Sequence, residues 1–372
     1  ILAIISLLLG NILSGKSYYP PRIAFVEGKA SYEPAGEVEW SEVTINLPLL
    51  SGDRIVSLPK SRVEIELGEG NFLRMGEDTD IIFGNIMGVY GDVDLKIGEI
   101  VLRVTDASKL YVHLPLSTVK IKKRGYYHFF VDNKGVSQIV VWKGKIQVEN
   151  SSEKKDAQTG DYLLINHSDK ISMDTTAAIQ KNELDLWSDR RDARFAVSDS
   201  VSKLGASYAG VYDLDHHGLW EHLSNYGDVW FPSVTVGWAP YRLGRWGHYS
   251  NWGWTWISNE PWGWLPYHYG QWHYYEPYQR WCWAPGNFSY WSPARVNFYW
   301  GSGYVGWSPL GYSFGFGSRP GRYHGNIDNS VTIINNYNTR GGPLTVVTEE
   351  NFRRSKVGLK DKFICCPYIK RT

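Results

Sequence analysis

The chain has 372 residues, a formal net charge of +1, 21% charged residues and 15% aromatic residues. That length holds two domains and tails, while the near-neutral charge excludes bulk attraction to nucleic acid and the aromatic content excludes a disordered chain. Its three cysteines, Cys282 and the adjacent Cys365 and Cys366, match neither a zinc spacing nor a disulfide framework.

Ile1-Leu2-Ala3-Ile4-Ile5-Ser6-Leu7-Leu8-Leu9 has the length of a secretory apolar region and falls short of the roughly 20 apolar residues that span a bilayer. Residues 1–17 therefore read as a partial signal peptide with cleavage near Ser14 to Ser17. The end of a transmembrane anchor is the rival reading. Both put the remainder outside the cytoplasm, periplasmic or extracellular; cleavage leaves no stable membrane span in the mature chain.

From residue 20 to 168 the pattern is strand after strand. Val63-Glu64-Ile65-Glu66-Leu67 and Lys145-Ile146-Gln147-Val148-Glu149 alternate with period two. Asp80-Ile81-Ile82-Phe83 and Gln138-Ile139-Val140-Val141-Trp142 read as buried on both faces, and glycines keep every strand short. Gly52-Asp53 suits a tight turn.

Several of these pieces recur in a known arrangement: Phe25-Val26-Glu27-Gly28, Leu50-Ser51-Gly52-Asp53-Arg54-Ile55, Phe72-Leu73-Arg74-Met75, Gly98-Glu99-Ile100, Val140-Val141-Trp142-Lys143-Gly144-Lys145-Ile146 and Gly160-Asp161-Tyr162. Over about residues 23 to 166 the chain resembles the FecR-type β domain of bacterial extracytoplasmic proteins. The resemblance implies an all-β fold and an exported location. For FecR proteins proper it also implies signalling to an anti-sigma system from an N-terminal membrane helix.

Residues 172–210 change character. Thr175 to Phe195 carries charges three and four apart without Gly or Pro, which predicts a charged helix capped by Asp174, with Leu184, Trp187 and Phe195 touching a domain. Ser198 to Ala209 reads as a linker.

The aromatic unit covers residues 211–312. Gly237-Trp238-Ala239-Pro240-Tyr241-Arg242-Leu243-Gly244-Arg245-Trp246 returns 26 residues later as Gly263-Trp264-Leu265-Pro266-Tyr267-His268-Tyr269-Gly270-Gln271-Trp272. Between Gly237 and Leu310 lie 13 of the 18 tryptophans but only six Ile, Leu or Val, so the rings themselves must supply the core. This unit resembles the Gly-Trp-rich domain of unknown function that often follows a FecR-type domain, and Val331 to Val357 resembles the Asn-rich tail found after it. Residues 313–372 read as a Gly/Asn-rich, partly disordered tail.

Each repeat is expected to form a short strand, a turn and a return strand. Trp252, Trp254 and Trp256 then project to one face, and Trp262 and Trp264 repeat the arrangement. With Tyr267 these rings are the candidate ligand-binding residues, a platform on which sugar rings can pack. Arg242, Arg245, Arg280 and Arg295, in a stretch free of lysine, suit stacking on indoles.

Asp213, Asp215, His216, His217 and His222 make a tempting metal cluster, but adjacent histidines on a strand point to opposite faces, so no metal and no cofactor is expected. Glu260 before Pro261 reads as a turn residue; as one of a glycosidase pair it would need a second carboxylate about 5–10 Å away. No nucleophile elbow or phosphate loop is present.

The expected fold class is mostly β: a FecR-like all-β domain, a charged helical connector, then a small aromatic-rich β-repeat domain. The expected function is a non-catalytic exported protein that binds or scaffolds an envelope component, with envelope polysaccharide, peptidoglycan or a protein as partner and no nucleic acid. A FecR-like regulator and a glycan-active enzyme are the alternatives.

Overall fold

A computed structural model describes residues 19–87, 90–105, 110–167, 170–175, 179–206, 208–286, 291–301, 303–310 and 344–354. The expected signal segment, residues 1–17, and most of the tail lie outside them. Among the described residues no helix is long and apolar enough to cross a membrane.

Strands β1 (Arg22–Glu27), β2 (Ala30–Glu33), β3 (Ser41–Glu42), β4 (Arg54–Ser57), β5 (Arg62–Gly68), β6 (Asn71–Met75), β7 (Asp80–Met87) and β8 (Tyr90–Val104) form the first half of the leading unit. β9 (Leu110–Leu114), β10 (Ser117–Ile121), β11 (Gly125–Val131), β12 (Ser137–Lys143), β13 (Lys145–Glu149), β14 (Lys154–Gln158), β15 (Asp161–Ile165) and β16 (Ile171–Thr175) complete it. They build two layers. One runs β1-β5-β6-β8-β11-β12-β15-β16 and the other β3-β2-β4-β7-β8-β9-β10-β13-β14.

The long strand β8 belongs to both layers. Its first part pairs in parallel with β9, and from Gly98 onward it pairs with β11. The crossover needs glycine at 98: its φ is +91°, and an added Cβ would lie 2.5 Å from the Thr79 Cα. Between the layers Ile65, Leu73, Leu102, Phe129, Ile55 and Val112 share one aliphatic core. Gly52 and Asp53 form the expected turn, where the Asp53 carboxylate accepts from the Leu50 and Ala35 amides and the Tyr32 hydroxyl.

Burial inverts two sequence expectations. β7 and β12 are not buried on both faces: Ile82, Gln138 and Trp142 are only half-covered. β5, read as alternating, is buried on both. The polar side chains of β5 and its neighbours face outward into a layer of charge that two later segments cover.

One cover is helix α1 (Glu183–Ala193). Its cap is Asn182, not Asp174, and Thr175 still belongs to β16, because Asn182 and Asp185 satisfy each other's backbone amides in a capping box. Beneath it Arg74 donates to Glu64 (2.7 Å) and Asp192 (2.6 Å), and Arg191 donates to the same Glu64. Leu184 and Trp187 pack on Val101 and Phe25. The expected linker also holds a short helix, α2 (Asp199–Leu204), with Ser198 as its N-cap.

The other cover is the aromatic unit. Buried Arg22 on β1 donates to Glu66 (2.9 Å), to Asn46 (3.0 Å) and to Asp213 (2.5 Å) of the aromatic unit, and the Gly210 amide donates to Glu66 (2.9 Å). The Asn46 amide donates to the carbonyls of Ser258 (3.0 Å) and Glu260 (2.8 Å). Tyr249 and Ile257 extend the aliphatic core itself, so the two units share a continuous interior.

The aromatic unit is a series of hairpins: β17 (Gly218–Leu223) with β18 (Gly227–Pro232), β19 (Gly244–Tyr249) with β20 (Gly253–Ser258), β21 (Gln271–Tyr275) with β22 (Arg280–Ala284), and β23 (Val296–Gly301) with β24 (Tyr304–Pro309). Each places one aromatic cross-strand pair at equivalent register: Trp220 with Trp230, Trp246 with Trp256, Trp272 with Trp283, and Phe298 with Trp307. The ten-residue repeats are not strand-turn-strand. Their first half is a turn in one copy and helix α3 (Trp264–His268) in the other, and only Gly244-Arg245-Trp246 and Gln271-Trp272 enter strands. Pro266 fits the first turn of α3, where its missing N–H is not needed.

Part of the expected tail belongs to the fold. β25 (Thr345–Thr348) pairs with β24, and α4 (Glu349–Arg354) brings Phe352 among Trp246, Trp254, Phe298 and Trp307.

Two outcomes follow from these contacts. Arg22→Met leaves the buried Glu66 and the partly buried Asp213 uncompensated and should lower stability by about 3–5 kcal/mol in urea unfolding. The triple variant with Glu66→Gln and Asp213→Asn should recover much of that loss, and a single-variant loss under about 1 kcal/mol would contradict the arrangement. At Gly244 an added Cβ would meet the Ile257 carbonyl at 2.5 Å and the Trp256 ring at 2.6 Å. Gly244→Ala should therefore cost at least about 1–3 kcal/mol by overpacking, whereas Gly253→Ala, with open space around it but positive φ, should cost about 1 kcal/mol.

Candidate functional site

The six rings singled out from the sequence do not form one face. Trp256, Trp262, Trp264 and Tyr267 are 1%, 3%, 0% and 0% exposed, so they are core residues closed to a ligand. With few aliphatics available, the rings fill the interior in tilted and edge-to-face contacts: Trp246 with Trp256 at 5.2 Å, Trp230 with Trp262 at 5.1 Å, and Tyr241 with Tyr267 at 4.6 Å. Trp262 and Trp264 are not an extended pair, since α3 begins at Trp264 and turns its ring toward His268 and Trp291. Trp252 and Trp254 are half-buried, one against Tyr249 and Trp291, the other against Phe352.

Glu260 ends the second hairpin, as its turn reading anticipates, but its carboxylate is also buried. It accepts from Trp238 Nε1 (2.6 Å), Ser258 Oγ (3.2 Å) and the Tyr267 hydroxyl. Burial lifts its pKa to about 7 against the pull of these donors. At 6% exposure it has no face to offer a glycoside.

The cluster considered for a metal is divided among other partners. Asp213 binds Arg22, Asp215 accepts from Ser198 and Ser200, and His222 pairs with Asp228, which also holds Lys203.

A concave site lies on the first unit instead. Helix α1 lies over β1, β5, β6 and β8 of the outer layer and reaches β12 at Trp142, so its N-terminus becomes the wall of a cleft of about 640 Å³. That volume falls within the range of small-molecule sites. Val140 lies on its floor, flanked by Phe130, Trp142 and Tyr162, with Gln138, Asp174 and Gln180 around them. Asp185 accepts from Trp142 Nε1 (3.0 Å) and His128 Nδ1 (3.1 Å), and His128 Nε2 meets Glu99 at 3.2 Å. Burial alone would lower the His128 pKa, but hydrogen bonds to Asp185 and Glu99 outweigh it and hold the imidazolium with a pKa of about 9. Its charge supports folding fully below pH 6.5 and is lost as pH rises through about 9.

Sequence reasoning passed over this cleft. The residue pattern marks Gln138 to Trp142 as a strand buried on both faces and Asp174, Gln180 and Asp185 as helix positions; the one signal against full burial is the polar and aromatic set Gln138, Trp142 and Tyr162.

Residues 211–314 match a family of unknown function, DUF6600. No curated protein matches the chain. Among solved structures, two crystal structures of a "putative anti-sigma factor" from Parabacteroides distasonis ATCC 8503 are similar in part. The structure at 1.65 Å resolution is 14% identical over 33% of this chain and 59% of the other, with a TM-score of 0.30. The structure at 2.50 Å is 14% identical over 39% and 60%, with a TM-score of 0.27. The chain thus spans about three fifths of their length.

The raised carboxyl of Glu260 has a signed consequence. The folded state holds its proton up to about pH 7, the unfolded chain only to 4.5, so its contribution is complete below pH 4.5 and lost as pH rises through 7. Unfolding free energies of Glu260→Gln, from urea titrations at pH 4.5 to 7, should fall less steeply than those of the parent, by on the order of 3 kcal/mol over that window. Parallel pH profiles would rule this out.

Proposed function

We propose that this chain is a non-catalytic exported protein of the bacterial cell envelope, in which two joined β units bind or scaffold an envelope glycan. The observation that carries the reading is the seam: Arg22, Glu66 and Asp213 join the units through buried charge. A rigid two-unit body suits holding a component in place. The apolar opening at Ile1 to Leu9 and the FecR-type resemblance support export. The engagement of Glu260 by three donors supports the absence of glycoside chemistry.

The test is co-sedimentation of the full chain with purified peptidoglycan and with insoluble envelope polysaccharide, alongside periplasmic fractionation of the producing cell. Retention on one glycan, without release of soluble sugar and with the protein in the envelope fraction, is the expected result. Sugar release that disappears in Glu260→Gln would establish an enzyme instead. Failure to sediment with any envelope glycan would remove the glycan reading.

A further inference from the structure

We infer that the cleft beside the N-terminus of α1 binds a neutral, hydroxyl-rich oligosaccharide; this rests on the envelope-glycan reading and gives it a site away from the tryptophan repeats. The first argument is the spread of the rings. Phe130 is opposite Gln138 on β12, and Tyr162 is opposite Val140. Trp142 stands four residues beyond Gln138, about 13 Å along an antiparallel strand. Phe130 and Trp142, so far apart, cannot box a single ammonium group between them, and the Trp142 ring already carries the Lys181 ammonium at 5.9 Å; with Tyr162 between them, these rings floor an elongated chain of flat rings.

The second argument is the state of the polar groups. His128 bridges Glu99 and Asp185, and Asp185 also holds the Trp142 indole. Gln138, Gln180 and the Tyr162 hydroxyl line the same cleft without a side-chain partner among the described residues. Planar amides and a phenol, each able to donate and accept, match a ligand made of hydroxyl and acetamido groups. The third argument is charge. Glu99, Asp174 and Asp185 line the cleft against His128, and Lys181, over the Trp142 ring, is paired with Asp189, so the balance disfavours anionic sugars.

The experiment uses the full chain and soluble tetrasaccharides: chitotetraose and cellotetraose as neutral probes, tetragalacturonate as the anionic one, and tetramethylammonium as a cation control, all by titration calorimetry. A neutral probe should bind, and tetragalacturonate at least about tenfold more weakly. Tyr162→Ala and Gln138→Ala, each confirmed as folded by thermal melting, should weaken the neutral probe by about tenfold. Trp254→Ala in the aromatic unit should leave it unchanged. Unaltered affinity in both cleft variants would overturn this site while leaving the envelope-glycan reading intact if sedimentation persists. Binding of tetramethylammonium without a neutral sugar would replace the ligand class, and a parent chain that binds neither neutral probe would also overturn the inference.

Discussion

Charge buried between layers is the constraint on which the rest of this structure depends. Arg22, Glu66, Glu64 and Arg74 sit on the outer face of a β layer where an isolated sandwich would expose them to water. Each is instead covered and matched: Glu66 and Arg22 by Gly210 and Asp213, Glu64 and Arg74 by Arg191, Ser188 and Asp192. Such pairs add little net stability over apolar packing, but a half-assembled set is strongly unfavourable. The layer therefore acts as a registry device. Connector and aromatic unit dock in the arrangement that gives each of these four side chains a charged or hydrogen-bonding partner.

The aromatic unit solves a different problem. Lacking aliphatics, it packs indole against indole, and the glycines that begin its hairpins give those indoles room: added Cβ atoms at Gly218 and Gly270 would meet the rings of Trp230 and Trp283 at 2.4 Å and 2.6 Å. Indole N–H groups of Trp230, Trp283 and Trp307 reach the carbonyls of Leu214, Tyr269 and Tyr241, so part of the ring core is also a hydrogen-bonded one. Hairpin β19–β20 then extends into the aliphatic core of the neighbouring unit, which makes ring packing and charge matching parts of a single interior.

Much of this was legible in the chain itself. The mostly β class, the Gly52-Asp53 turn, the helical connector and the shortage of aliphatics all followed from residue pattern. The hairpin register did not, although Gly218, Gly244 and Gly270 stand 26 residues apart, because only two of the copies share enough side chains to read as repeats. The alternation in Val63 to Leu67 correctly marked a strand but not its cover, since period two says which residues share a face and nothing about what lies on it. The six candidate rings illustrate the same limit. Spacing put Trp262 and Trp264 on one face of an extended chain, whereas Pro266 in a first helical turn placed them in different clusters. The cleft was invisible for a related reason: its wall is a helix end that meets β11 and β12 through long-range contacts such as those from His128 and Trp142 to Asp185.

Native-state hydrogen exchange at the seam bears most directly on the claim that the two units form one body. The Gly210 amide, bonded to Glu66 at 2.9 Å, should exchange only as slowly as the amides of β5, through global unfolding. Exchange of Gly210 at the rate of the amide of exposed Val38 would mean that the units part freely, and would contradict the account.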